Sequence, residues 1–200
     1  GVELRTGCRV REILVDESTG FATGVLYHGP DGQVHEQRAE LVVVACNGVG
    51  TPRLLLNSKS KTFPGGLANR NGMVGKNLMF HPLTGVAGVF DEPMLGHEGP
   101  MACSILSQEF YETDPNRGFV RGYGLHSGRS TTPMTYALGG YGIDNPIPWG
   151  AEHREIMDNI YPYLAGLTIV SEDLPEQHNC VTLDPDLTDS DGIPAPKITY

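Results

Sequence analysis

The stretch from Leu41 to Ser58, LVVVACNGVGTPRLLLNS, limits the possible folds more than any other part of the chain. It opens on Leu41 to Val44, four apolar residues of which three are β-branched. That composition predicts a buried strand of a parallel sheet. The small residues Ala45, Cys46, Asn47, Gly48 and Gly50 follow, and they let the backbone turn sharply and approach a ligand closely. Thr51 offers an N-cap hydroxyl, Pro52 suits the first helical position, and Arg53 to Ser58 carries a leucine triplet for the packed face of a helix. A strand, a small-residue turn and a helix N-terminus in that order form a site for a nucleotide cofactor. Amide N–H groups point outward there and the helix dipole favours negative charge. An ordinary strand-to-helix connection has the same spacing. The sequence lacks both the GxGxxG and the GxxxxGK[ST] fingerprints, so the spacing alone leaves both readings open.

Charge and composition remove several classes. A net charge of −10, from 14 basic and 24 acidic residues, argues against a nucleic-acid binder, which needs clustered Lys and Arg to neutralise phosphates. The composition, with 39% apolar residues, is that of a soluble globular protein, and no apolar run is long enough for a transmembrane helix. Its 200 residues suffice for one good core or for pieces of two. Cys8, Cys46, Cys103 and Cys180 are far apart and form no CxxC pair, which argues against a zinc site or a disulfide framework. Gly1 opens on strand-like sequence and Lys197 to Tyr200 reads as the start of a strand, so both ends read as cut through structure. No signal peptide is visible, and the compartment stays open between cytoplasm and periplasm.

Ahead of Leu41, Val2 to Leu4 and Cys8 to Val15 read as extended, with a break at Thr6-Gly7. Turns at Ser18-Thr19-Gly20 and Gly29-Pro30-Asp31-Gly32 separate strands at Ala22 to His28 and Gln33 to Ala39, giving an antiparallel meander. Later strands are expected at Thr84 to Phe90, Met101 to Gln108, Gly118 to Ser127 and Leu164 to Val170. A helix is expected over about Ala151 to Tyr161, where Ile156, Met157, Ile160 and Tyr161 recur at helical spacing. The loop Asn145 to Gly150 precedes it. Strands with one packed helix make an α+β arrangement.

Three motifs in the same order carry a family resemblance. The meander followed by Ala45-Cys46-Asn47-Gly48 and then Gly50-Thr51-Pro52-Arg53-Leu54-Leu55 resembles the second signature of the glucose–methanol–choline (GMC) oxidoreductases. Asn47 stands where that signature has Gly, and Ser58-Lys59-Ser60-Lys61 replaces its closing Ser-Gly-aliphatic-Gly. Val74-Gly75-Lys76-Asn77-Leu78-Met79-Phe80-His81-Pro82 is similar to the family's Val-Gly-x-Asn-Leu-x-x-His-Pro segment, where the FAD domain crosses to the substrate domain. Ser171 to Glu176, Asn179 to Asp184 and Asp191-Gly192-Ile193-Pro194 resemble a run of its substrate domain.

The resemblance implies an α/β plus α+β fold. Residues 1–82 would be part of a Rossmann-like FAD-binding domain with its β-meander. Residues 83–200 would be part of an antiparallel-sheet substrate domain with a packed helix. It implies FAD as cofactor, a small-molecule alcohol as substrate, hydride transfer to flavin and an electron acceptor of unknown identity. Val10 would meet the adenine through its backbone, and Ala45, Asn47, Gly48, Thr51 and Pro52 would line the other side of the cofactor. Asn77 and His81 are expected near the domain crossing. The family's dinucleotide fingerprint and catalytic histidine fall outside this chain, so no catalytic residue is assigned and the chain alone is expected to be inactive.

Other features have competing readings. The acidic run Asp184, Asp186, Asp189 and Asp191 suggests calcium but fails the EF-hand spacing, and a solvated turn is expected. His126 with Arg121 and Arg129 suits either an anionic substrate or an exposed strand and loop. Cys46 reads as a small buried residue against the cofactor rather than as a redox thiol. His81 reads as a buried histidine bonded to backbone or as a cavity residue. A reductase with a second dinucleotide domain would show a further GxGxxG after the meander, and the sequence has none. A non-enzymatic β-rich binding module remains the other alternative.

Overall fold

In the computed structural model, which describes residues 1–98, 103–128, 132–138 and 147–200, three strands form an antiparallel meander. They are β1 (Arg9–Val15), β2 (Ala22–His28) and β3 (Val34–Arg38), in that spatial order. Arg9 lies opposite His28, Val10 opposite Tyr27 and Ile13 opposite Val25, with a bulge between Val10 and Glu12. The first turn is held by Asp16, whose Oδ1 accepts from the amides of Ser18 and Thr19. Helix α1 (Asn47–Asn57) packs on β1. Ser58, only 3% exposed, joins the two: its Oγ accepts from the Ile13 amide at 2.9 Å and donates to the Leu54 carbonyl at 2.7 Å.

The meander and α1 belong to one of two compact units, residues 1–79 together with 174–200. The second unit, residues 80–173, is built on an antiparallel sheet. Its strands are β4 (Leu83–Val89), β5 (Cys103–Ser107), β6 (Tyr123–Gly128) and β7 (Leu164–Ser171), in the order β4-β7-β6-β5. Two helices, α2 (Pro133–Ala137) and α3 (Ala151–Asn159), precede β7, and a 3₁₀ turn at Tyr161–Tyr163 leads into that strand. Thr132 caps α2, its hydroxyl accepting from the Thr135 amide. Tyr136, Ile147 and Tyr161 form the buried core, with Ile156, Met157 and Leu164 packed against it. The rings of Tyr136 and Tyr161 meet at 5.0 Å. The helical periodicity of Ile156 and Met157 therefore reports real packing. The chain closes with the hairpin β8 (Cys180–Thr188) and β9 (Pro194–Thr199).

Most of the expected elements are present within a residue or two, and antiparallel sheets with few helices are compatible with a fragment of an α/β protein. Five expectations need correction. Leu41 to Val44 has no regular secondary structure and pairs with no strand among the described residues, and Leu41 and Val43 are 78% and 80% exposed. A run of β-branched residues favours extended backbone but does not supply neighbours for it. Val2 to Leu4 forms no strand. The strand expected from Gly118 begins only at Tyr123, because a 3₁₀ turn at Pro115–Arg117 comes first and its C-cap, Gly118, is left-handed. The expected helix at Ala151 stops at Asn159, where Pro162 replaces a needed amide donor. Finally, residues 174–200 group with residues 1–79 in the first unit, where the hairpin β8–β9 packs on α1. Arg129, Asn145 and Pro146 lie outside the described residues.

Candidate functional site

The turn before α1 is set by side chains closing on their own backbone. Asn47 adopts φ +60°, a left-handed conformation that Asn tolerates better than most residues. The helix begins at Asn47 rather than after Thr51, so Thr51 and Pro52 lie inside it. Thr51 is not the N-cap. Its Oγ1 instead accepts from the Cys46 amide at 3.2 Å and folds the turn back onto the helix. Asn47 Oδ1 accepts from the amides of Val49 and Gly50 at 2.9 and 3.0 Å. It thereby satisfies two of the four first-turn N–H groups, while those of Asn47 and Gly48 have no acceptor within the helix.

Ala45, Cys46, Asn47 and Gly48 are all exposed, and open space surrounds the position a Cβ would take on Gly48. Cys46 is therefore an exposed free thiol, not a buried one. The result is an accessible helix N-terminus of small residues, the geometry that receives an anionic group.

Pro52 adjoins the segment that follows. A Cβ built on Gly75 would lie 3.6 Å from the Pro52 Cβ and 2.1 Å from the Val181 carbonyl oxygen. Gly75 has φ +84° and its carbonyl accepts from the Val181 amide at 2.8 Å. Lys76 bridges to Cys180, and the Leu78 amide donates to the Asn179 carbonyl. Asn77, half-buried with φ +59°, carries this segment past the start of β8.

A cluster of four charged groups holds the middle of α1, at Arg53. Arg53 donates through Nε to the Pro194 carbonyl at 2.8 Å, and through Nη2 to Asp189 Oδ2 at 2.8 Å and the Ile193 carbonyl at 3.0 Å. Arg9 on β1 donates through Nη1 to the same Asp189 Oδ2 at 2.9 Å, and its Nε lies 3.2 Å from Asp191 Oδ2. The second oxygen of Asp189, Oδ1, accepts from the amides of Asp191 and Ile193. Burial opposes ionisation of Asp189. The donors from Arg53, from the Ile193 and Asp191 amides and from Arg9 outweigh it and hold the carboxyl well below the usual carboxylate range. Asp189 is thus no solvated turn residue: one carboxylate receives a guanidinium from β1 and another from α1. Alternating Asp residues in a loop gave no signal for this, because both partners come from far upstream.

The predicted residues divide accordingly. Ala45, Asn47, Gly48, Thr51 and Pro52 are contiguous at the α1 N-terminus. Val10 is half-exposed on β1, the strand α1 packs against. Asn77 follows the Gly75 contact with Pro52. His81 belongs to the second unit and is exposed rather than buried. In that unit Arg121 is exposed with φ +73°, and His126 is half-buried on β6 opposite Thr168. An open cleft of about 420 Å³ lined by Thr19, Gly20, Phe63, Ala68, Arg70 and Asn71 includes none of the predicted residues.

Comparison with known proteins agrees with the motifs. The GMC oxidoreductase family profile matches residues 1–83. A 2-methyl-1,2-propanediol dehydrogenase of Mycolicibacterium austroafricanum is 43% identical over 202 residues, covering all of this chain and 36% of that protein. The fructose dehydrogenase large subunit of Gluconobacter japonicus is 30% identical over 186 residues, covering 89% of this chain and 32% of that protein. A paromamine 6'-oxidase of Streptomyces fradiae is 29% identical over 118 residues, covering 56% of this chain and 22% of that protein. The chain thus spans about a third of the length of the first two relatives. With the profile match to residues 1–83, an alignment to a dehydrogenase along the whole of this chain and three ordered motifs in agreement, the chain belongs to the GMC oxidoreductase family.

Proposed function

We propose that the protein carrying this chain is an FAD-dependent oxidoreductase acting on the CH–OH group of a small alcohol, and that the first unit supplies part of its FAD cradle. The observation that carries the cofactor reading is the α1 N-terminus. Its turn of small residues is exposed, the space around Gly48 is open, and the positive end of the helix dipole lies there with the Asn47 and Gly48 amides, the two first-turn donors that Asn47 Oδ1 does not cap. These features fit the phosphate-bearing part of a dinucleotide. Ala45, Asn47, Gly48, Thr51 and Pro52 form one wall of the cradle in this reading, and Val10 on β1 forms the other. Asn77 and His81 are assigned more distant places near the domain crossing. The second unit is the start of the substrate domain.

Bound FAD would supply a hydride acceptor for the alcohol carbon. The residues of this chain hold and orient it, and none of them is assigned to move the hydroxyl proton. The relatives named for a diol and for a sugar support a polyhydroxylated or vicinal-diol substrate over a bulky apolar one.

The test uses the full-length protein purified without added flavin. A yellow protein whose flavin absorbance bleaches anaerobically with a diol or sugar is the expected result. A colourless protein that gains no flavin spectrum on titration with FAD would overturn the reading. Comparing reoxidation by oxygen with reoxidation by an artificial dye distinguishes an oxidase from a dehydrogenase.

A further inference from the structure

Asp189 has a part in this architecture that neither the motif nor the fold assigns. Its Oδ2 is shared by Arg9, the residue immediately before Val10, and by Arg53, the residue immediately after Pro52. The two walls of the proposed cradle, β1 and the α1 turn, are therefore joined through a single oxygen atom supplied by the closing hairpin. We propose that Asp189 is a positioning residue whose carboxylate fixes the spacing of the two walls, and hence the affinity for FAD; this rests on the cofactor reading above.

The geometry of the three groups restricts what each can do. Arg53 makes three bonds with the hairpin through a planar guanidinium, which sets both its distance and its plane. The Asp189 side chain is 17% exposed and that of Arg53 is 22% exposed, so water competes weakly for their bond. Arg9 is 49% exposed but makes a second ion pair, with Asp191, that limits its rotation. Asp189 Oδ1 is occupied by the turn amides of Asp191 and Ile193, which fix the carboxylate plane independently of either arginine. The hairpin turn and the clamp therefore use different oxygens of one side chain, and one substitution separates them. In Asp189→Asn the amide oxygen can keep the turn bonds at the Oδ1 position. The NH₂ then faces two guanidinium groups that have no acceptor for it to offer.

The experiment is FAD titration of the flavin-stripped full-length protein, read by flavin fluorescence well below the melting temperature of the apoprotein. Loss of two charge-assisted bonds predicts that Asp189→Asn weakens FAD binding about tenfold or more. Arg9→Gln is expected to weaken it in the same direction. Added to Asp189→Asn it should cause no further loss, because the two changes break one link. Asp189→Glu, which keeps the charge, should recover part of the affinity. Asp184→Asn is the control: Asp184 accepts the nearby amides of Asp186 and Leu187 in the same hairpin, and the substitution should leave FAD affinity unchanged.

A purely structural role would lower the apoprotein melting temperature while leaving FAD affinity within about twofold of wild type; that result overturns the proposal. Additive losses from Asp189→Asn and Arg9→Gln overturn it as well. If Asp189→Asn does not fold, the half-exposed Arg9→Gln decides alone, and unchanged affinity there refutes the clamp. Wild-type protein that binds no FAD refutes the cofactor reading itself, a result distinct from a wild type that binds FAD and an Asp189→Asn that binds it equally well.

Discussion

Replacing Gly75 by Ala tests whether the segment before the second unit is as closely fitted as the structure describes. The added methyl would lie 2.1 Å from the Val181 carbonyl oxygen, far inside van der Waals contact, and 3.6 Å from the Pro52 Cβ. Two costs add. A non-glycine residue at φ +84° carries a left-handed penalty of about 1–2 kcal/mol. Overpacking against atoms that cannot withdraw costs about 1–3 kcal/mol. Val181 cannot withdraw cheaply, because it is 1% exposed and its amide is itself bonded to the Gly75 carbonyl. The sum is about 3 kcal/mol, which lowers the melting temperature by about 6–12 °C when the 200 residues unfold as one cooperative unit. Thermal unfolding of the full-length protein gives the size of the effect. Amide exchange locates it, because the Val181 and Leu78 amides are both bonded across this junction and should lose protection first. A loss below about 0.5 kcal/mol, the level of an ordinary surface substitution, would refute the packing described here.

Three further outcomes follow from particular bonds. Ser58→Ala removes the acceptor of the buried Ile13 amide and should cost about 1–3 kcal/mol by chemical denaturation. Asn47→Ala removes the acceptor of two first-turn amides and should cost about 1 kcal/mol or more, whereas Asn47→Gly, which suits φ +60°, should cost only about a few tenths of a kcal/mol. A reversed order in the same denaturation measurement would refute the capping role. Asp189 has a folded pKa depressed below its unfolded value, so its contribution to stability is complete above the ordinary carboxylate range and is lost as pH falls through the folded value. The stability difference between wild type and Asp189→Asn should therefore be constant near neutrality and shrink below about pH 4; a difference that grows on acidification would contradict the assignment.

The parts of the chain that were legible in the sequence are those whose determinants are local. Ala22 to His28 reads as a strand because β-branched and aromatic residues lie between two turn clusters, and β2 has those bounds. Ile156 and Met157 recur at helical spacing and do pack against the Tyr136 and Tyr161 core. The start of α1 was misread by several residues because Thr51-Pro52 is a good capping pair in isolation. The competing determinant, an Asn at φ +60° whose carbonyl oxygen caps from the first helical position, follows from the conformation of the turn. Leu41 to Val44 shows the opposite limit. Its composition specifies extended backbone, but burial depends on what lies alongside, and composition carries no information about that.

The candidate site was legible where its residues are consecutive and hidden where they are not. Residues 45–52 announce a turn and a helix N-terminus by their small side chains, but nothing in that stretch fixes where the helix points. That direction depends on contacts with the closing hairpin: Gly75, beside Pro52, against Val181 on one side, and Arg53 and Arg9 against Asp189 on the other. Each contact joins residues far apart in sequence, and each has a specific steric or charge requirement: no side chain at Gly75, a carboxylate at Asp189. A local motif of exposed small residues tolerates many arrangements of its surroundings, whereas a ligand spanning β1 and α1 tolerates few. In the proposed cradle the hairpin would set the width between β1 and the α1 turn, and substitutions at Gly75 and Asp189 should therefore reach the cofactor, although neither residue lies in the turn of residues 45–52.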